Sequence, residues 1–182
     1  METNTHHQVA QVLQQCKQVF MQKTADYGTA WRILRLSSLT DQIFIKAQRI
    51  RTIEEKGSQK VQDDVAAEFT GIVNYCIMAL MQTALTHETR LELPLTQTEL
   101  LYDQQVTHIL TLLQAKNHDY GDAWRSMRIS SFTDLILMKL LRIKQIEDNG
   151  GNTQVSEGVE AGYTDIINYA AFALIKLGKT AA

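Results

Sequence analysis

The chain has 182 residues, of which 45% are hydrophobic and 21% are charged, and its formal net charge is −2. These values are ordinary for a globular protein, and they argue against a nucleic-acid or membrane-surface binder, which would carry a basic excess. The two cysteines, Cys16 and Cys76, lie in apolar stretches and predict buried, reduced thiols rather than a disulfide framework.

The N-terminus is polar and no apolar secretory segment follows it, so we expect a cytoplasmic location. One apolar run, residues 69–86, has to be considered as a membrane span. It contains Asn74 and Gln82 and lies at the lower limit of length for a transmembrane helix. We therefore expect a buried helix there and no contact with a membrane.

An internal duplication dominates the sequence. Residues 23–50 and 116–143 are identical at 16 of 28 positions, with the shared pattern K-x-x-D-Y-G-x-A-W-R-x-x-R-x-S-S-x-T-D-x-I-x-x-K-x-x-R-I. After a one-residue gap the copies realign, so that Asn74-Tyr75 matches Asn168-Tyr169. We divide the chain into a first helical repeat, 1–90, and a second, 91–182, and expect the two to pack together as one domain.

Each repeat predicts three helices. The first is amphipathic, with apolar residues at helical spacing, and it ends near Gly28 or Gly121. The S-S-x-T-D segment predicts the N-cap of the second helix. The third helix begins acidic and becomes apolar, and a linker of about residues 87–96, which includes Pro94, joins the repeats. The predicted fold is all-α: a tandem duplication of a three-helix unit that forms a six-helix bundle with pseudo-two-fold symmetry.

Charge is segregated within each repeat. Residues 23–53 and 116–146 are mainly basic, whereas residues 54–68 and 147–165 are mainly acidic. Two explanations remain open. Lys139 and Arg142 could pair with carboxylates of the third helix, which would be internal neutralisation. Alternatively, the basic residues hold the phosphates of a ligand while the acidic residues hold Mg²⁺.

The candidate metal ligands lie on the third helix of the second repeat. Glu157 and Asp165 are eight residues apart and share a helix face, which Asn168 joins three residues later. Two carboxylates with an amide make a plausible shell for Mg²⁺. The first repeat has Gly71 in place of Asp165, although Glu68 could substitute from one turn earlier.

The candidate ligand-binding residues are cationic or aromatic. The cationic ones are candidates for phosphate contacts: Lys116, Arg125, Arg128, Lys139 and Arg142. Tyr120 and Trp124 are candidates for stacking against a base, and the alternative for Trp124 is a structural role in the core. The sequence has no zinc-ligand spacing, no P-loop and no dinucleotide-binding glycine pattern.

The duplicated K-x-x-D-Y-G-x-A-W-R, S-S-x-T-D and K-x-x-R motifs, with the D-x-x-N-Y motif of the second repeat, resemble the family called nucleotide modification associated domain 1, formerly a domain of unknown function. The resemblance covers both repeats, and it implies a link to nucleotide metabolism without a defined reaction. The chain is also distantly similar to the MazG-like all-α nucleoside triphosphate pyrophosphohydrolases. That similarity implies a helical bundle, usually dimeric, which uses Mg²⁺ bound to carboxylates.

We therefore expect a protein that binds a nucleotide or another phosphorylated small molecule, with a further homodimer possible. If it is an enzyme, the expected reaction is Mg²⁺-dependent cleavage of a nucleoside triphosphate to the monophosphate and pyrophosphate. The alternative functions are a non-catalytic helical scaffold and a nucleotide-sensing or partner-binding module.

Overall fold

A computed structural model describes residues 4–57, 64–155 and 157–178, and for Tyr120 the backbone alone. Six α-helices and no strand are present in these ranges, which confirms the predicted fold class. The helices are α1 (Asn4–Tyr27), α2 (Leu36–Lys56), α3 (Val65–Ala84), α4 (Leu95–Tyr120), α5 (Ile129–Asp148) and α6 (Val159–Lys176). A short 3₁₀ helix follows the first helix of each repeat, at Ala30–Ile33 and Ala123–Ser126.

The first helix of each repeat ends as predicted, at a glycine with positive φ. Gly28 has a φ of 62° and Gly121 a φ of 57°, a backbone region that glycine enters without steric cost. The predicted N-cap of the second helix is wrong. α2 and α5 begin one residue after Arg35 and Arg128, neither of which makes a side-chain capping bond.

The two third helices, α3 and α6, form the centre of the bundle. They pack against each other, α2 packs on α3, and α5 packs on α6. The first helices also pack across the boundary between the repeats, because α1 contacts α6 and α4 as well as α3, and α4 contacts α3. Each repeat thus completes the core of the other, which is why one three-helix unit would leave apolar surface uncovered.

The contact between α2 and α5 shows the pseudo-two-fold symmetry directly. Thr40 donates a hydrogen bond to Glu147 at 2.8 Å, and the matching Thr133 donates to Glu54 at 2.9 Å. The flanking ion pairs repeat as well, as Lys144–Asp41 and Arg51–Asp134. The threonines of the S-S-x-T-D segments therefore bind carboxylates of the opposite repeat instead of capping their own helices.

The apolar helix α3 is the one described helix with the length and hydropathy of a membrane span. Of its apolar stretch, 61% is buried inside the fold, and the core helix of a soluble protein passes the same test. Cys16 and Cys76 are buried free thiols, as predicted.

Candidate functional site

Each repeat contains one cleft at the C-terminal end of its first helix. The first cleft lies between α1, the 3₁₀ helix Ala30–Ile33 and α3, and has a volume of about 410 Å³. The second cleft lies between α4, the 3₁₀ helix Ala123–Ser126 and α6, and has a volume of about 400 Å³. Equivalent positions of the two repeats line the two clefts, so the duplication has produced two related cavities.

The second cleft brings together four of the residues predicted from the sequence: Lys116, Trp124, Asp165 and Asn168. The sequence analysis missed two aromatic residues of its lining, Tyr169 and Phe172. Tyr169 is repeated as Tyr75 and follows the shared asparagine, a signal that could have marked it. Phe172 has no such signal, because it is indistinguishable from the other apolar residues of a core helix.

Asp165 lies between two lysines at the edge of the second cleft. One carboxylate oxygen accepts a hydrogen bond from Lys116 at 2.8 Å, and the other accepts one from Lys139 at 2.7 Å. Burial alone would raise the pKa of Asp165, but the two hydrogen bonds outweigh burial and hold that pKa below its ordinary value. Asp165 is therefore an ionised carboxylate whose charge is already compensated.

A charged pocket adjoins the second cleft on the other side of Asp165, with a volume of about 310 Å³. Its charged lining residues are Lys139, Arg142, Glu157 and Asp165. Arg142 is exposed and makes no ion pair with any described residue. Of the expected pairing of Lys139 and Arg142 with third-helix carboxylates, only the Lys139 pair has formed.

Asn168 differs from its counterpart Asn74 in its hydrogen bonds. The amide nitrogen of Asn74 donates to the Cys16 carbonyl at 3.0 Å, and its oxygen accepts from the Tyr102 hydroxyl at 2.8 Å. The oxygen of Asn168 is buried and has no hydrogen-bond donor among the described residues, because Val9 occupies the position that matches Tyr102. Asn168 is only 5% exposed, so this missing bond is a feature of the interior.

Trp124 is part of the packed core, although it also lines the second cleft. It stacks on Phe172 with ring centroids 4.4 Å apart and donates from its indole nitrogen to Thr5 at 3.1 Å. The Arg125 guanidinium lies over the same ring and donates to Gln8. Both residues of this pair therefore have structural partners, which is the alternative that the sequence left open for Trp124.

The other predicted site residues are dispersed. Arg128 is exposed at the N-cap of α5, outside the lining of the second cleft and of the charged pocket. The side chain of Tyr120 lies outside the described residues. Of the predicted metal ligands, Glu157 lines the charged pocket, Asn168 lines the second cleft, and only Asp165 lines both.

The described residues contain no group of three or more histidine, cysteine or acidic side chains that could hold a metal ion. Both oxygens of Asp165 are bonded to ammonium groups, and Glu157 is exposed. Asp165 and Glu157 fit a divalent cation only if Lys116 and Lys139 leave the Asp165 carboxylate.

Each repeat matches the sequence model of the family described as nucleotide modification associated domain 1, the first over residues 23–83 and the second over residues 116–177. The two segments together cover more than half of the chain. The chain belongs to this family. No curated protein and no solved structure matches it. The matched segments begin at Lys23 and Lys116, so they contain the basic residues of both clefts and all their aromatic residues except Phe20, whereas most of α1 and α4 lies outside them.

Proposed function

We propose that the protein binds a nucleotide, with the base in the second cleft and the phosphates in the charged pocket. The observation that carries the proposal is Asn168, a buried residue of the cleft wall whose side-chain oxygen has no donor among the described residues. A buried acceptor without a hydrogen bond is costly. The edge of a nucleobase carries N–H donors, and the aromatic residues Tyr169 and Phe172 line the same cleft.

The charged residues support the same orientation of the ligand. Asp165 lies at the boundary between the aromatic cleft and the charged pocket, with Lys116 on one side and Lys139 on the other. An incoming phosphate group would attract both lysines, because charge-assisted bonds to phosphate are strong. Arg142, which makes no ion pair with the described residues, adds a further donor for phosphate oxygens.

Nucleoside triphosphates are expected to raise the Tm of the protein, because a ligand that binds only the folded state stabilises it. Asn168→Leu should weaken binding by about tenfold, the amount that corresponds to one lost hydrogen bond of about 1.4 kcal/mol. Arg142→Gln should weaken binding of triphosphates more than binding of nucleosides. Thermal shift and titration calorimetry with ribo- and deoxynucleoside triphosphates in EDTA measure these effects.

Arg51→Gln is the matched control for Arg142→Gln, since Arg51 is a partly exposed arginine of α2 outside both cavities. Tripolyphosphate, which lacks a base, separates the contribution of the cleft from that of the charged pocket. The proposal fails if no triphosphate shifts the Tm at millimolar concentration, or if Asn168→Leu binds as tightly as wild type.

We further propose Mg²⁺-dependent cleavage of a nucleoside triphosphate as a second candidate, favoured by the presence of Glu157 and Asp165 in one charged pocket. The residues fit this chemistry if Lys116 and Lys139 transfer from Asp165 to the phosphates. A bound Mg²⁺ would then stabilise charge on the phosphate oxygens. In this proposal Lys139 and Arg142 hold the phosphate chain.

A Mg²⁺-dependent pyrophosphate-release assay over the triphosphate panel tests cleavage. Wild type should release pyrophosphate, and Asp165→Asn, which keeps the shape but removes the charge, should lose most of the activity. Equal rates for the two proteins would contradict the catalytic proposal. Tm shifts without turnover would instead support a nucleotide sensor. The absence of both Tm shifts and turnover would support a helical scaffold. The same proposal places the protein in the cytoplasm, where nucleotides are available.

A further inference from the structure

The first cleft carries a different charge from the second. Its charged lining residues are Lys23 and Lys46, both positive. The second cleft has one charge of each sign, on Lys116 and Asp165. The lining charges therefore sum to +2 in the first cleft and to 0 in the second. Asp165 has no acidic counterpart in the first cleft, and Lys139, the counterpart of Lys46, does not line the second.

The acidic residue of the first repeat has been displaced from its cleft. Glu68 lies one turn before Gly71, accepts a bond from Lys46 at 3.3 Å, and also binds Arg49. Its side chain is 9% exposed and it does not line the first cleft. Glu68 therefore pairs with Lys46 beside the cavity but contributes no carboxylate to its lining.

Lys23 is the second cation in the lining of the first cleft. It is exposed at the edge of the first cleft and makes no ion pair with any described residue, whereas its counterpart Lys116 is bonded to Asp165. Gly71, which stands where Asp165 does, leaves room for the aliphatic part of Lys46 in the cleft wall. A β-carbon built at Gly71 would lie 2.8 Å from Cε of Lys46.

The walls of the first cleft are aromatic. Trp31 is half-buried, and its indole nitrogen is buried without an acceptor among the described residues. Tyr75 has the Lys46 ammonium 5.9 Å from its ring centroid, and Tyr27 is 74% exposed at the rim. Aromatic surface beside two cations, of which Lys23 makes no ion pair with a described residue, suits a flat ligand that carries negative charge.

We propose that the first cleft is a second ligand site, which binds a planar heteroaromatic phosphate monoester of the nucleoside monophosphate class without a metal ion. Lys23 and Lys46 contact the phosphate, and the ring lies between Trp31 and Tyr75. This proposal does not rest on nucleotide binding in the second cleft, because every residue that carries it belongs to the first repeat. The repeat without Asp165 is then a site for anions rather than a structural support.

Exchange of one residue tests the charge argument. Gly71→Asp introduces into the first cleft the carboxylate that the second cleft has, and Gly71→Asn introduces the same shape without the charge. The three atoms nearest to a β-carbon at Gly71 all belong to the flexible side chain of Lys46, which can move aside. Adenosine, guanosine and thymidine monophosphates are titrated by calorimetry into the full chain in EDTA, with inorganic phosphate as the ligand that lacks a ring.

Wild type should bind at least one of the three monophosphates and bind inorganic phosphate at least tenfold more weakly. Gly71→Asp should weaken binding of the monophosphate at least tenfold, and Gly71→Asn should weaken it threefold or less. Lys23→Gln, an exposed substitution that does not threaten folding, should also weaken it, whereas Lys56→Gln at the end of α2 should not.

The proposal is overturned if no monophosphate binds wild type at a ligand concentration of about 10 mM. A dissociation constant above about 10 mM would be too weak for a specific site. The proposal is also overturned if Gly71→Asp and Gly71→Asn bind equally, or if Lys23→Gln binds like wild type. The test of the second cleft uses triphosphates and Asn168→Leu, and its result does not depend on the Gly71 and Lys23 variants. Each of the two proposals can therefore fail without the other.

Discussion

Replacing Asn74 by leucine is expected to lower the free energy of unfolding by about 3 kcal/mol, because it strands a buried partner in each repeat. The Tyr102 hydroxyl is fully buried and donates to the Asn74 oxygen, and the Cys16 carbonyl accepts from the Asn74 amide nitrogen. Burial raises the pKa of Tyr102 well above its ordinary value, so the phenol cannot escape the cost by ionising. Urea unfolding of the variant, followed by circular dichroism, measures the loss.

Asn168→Leu is the matched control, since it makes the same substitution at the equivalent position of the second repeat. The Asn168 oxygen has no donor among the described residues, so removing it strands no known partner. We expect a change within about 1 kcal/mol of wild type. Equal losses at the two positions would show that the hydrogen bond to Tyr102 does not distinguish the repeats.

Most of the fold followed from local rules and from the duplication. Apolar residues at helical spacing and glycines at Gly28 and Gly121 gave the helices and the ends of α1 and α4. The failure at the S-S-x-T-D segment has a clear cause. Thr40 and Thr133 have the chemistry of capping residues, but their acceptors, Glu147 and Glu54, lie in the other repeat. A rule based on sequence neighbours cannot detect a partner that folding brings from about 80 to 110 positions away.

The candidate site was predictable to a smaller extent. Comparing the copies identified Lys116, Asp165 and Asn168, which do meet at the second cleft. The same comparison could not show that Lys116 and Lys139 both bind Asp165, because the three residues lie on different helices. Trp124 was ambiguous for a related reason: an indole can stack on a ligand or on Phe172, and only the packing of α6 decides.

The loss of Asp165 in the first repeat was visible in the sequence, and its consequence was partly foreseen. Glu68 replaces it one turn earlier as the partner of the lysine on the second helix. The second repeat has Gly162 at the position of Glu68. A β-carbon at Gly162 would lie 2.8 Å from Cγ1 of Ile143, so Ile143 would have to shift to admit a side chain there.

Asp165→Asn is expected to destabilise the protein by about 2 kcal/mol. This value lies between the larger cost of breaking a fully buried ion pair and the smaller cost of breaking a surface pair. The Asp165 and Lys139 side chains are 20% and 18% exposed, and Lys116 is 52% exposed, so solvent screens part of the interaction. Without the carboxylate, two ammonium groups face each other with no counter-charge. Asp134→Asn is the control, because Asp134 is an exposed carboxylate whose ion pair with Arg51 is long, at 3.6 Å.

The stabilisation by Asp165 should also depend on pH, with a sign that follows from its lowered pKa. A carboxylate whose pKa is lower in the folded state binds fewer protons than in the unfolded state, so its contribution is complete above the ordinary pKa of about 4. The contribution disappears as the pH falls through the lower pKa of the folded state. The difference in free energy of unfolding between wild type and Asp165→Asn should therefore be constant from about pH 5 to about pH 7 and shrink toward about pH 3. These limits lie about one pH unit above and below the ordinary pKa of the carboxyl group. A difference that grew on acidification would contradict a lowered pKa, because it would mean that the folded state favours the protonated form of Asp165.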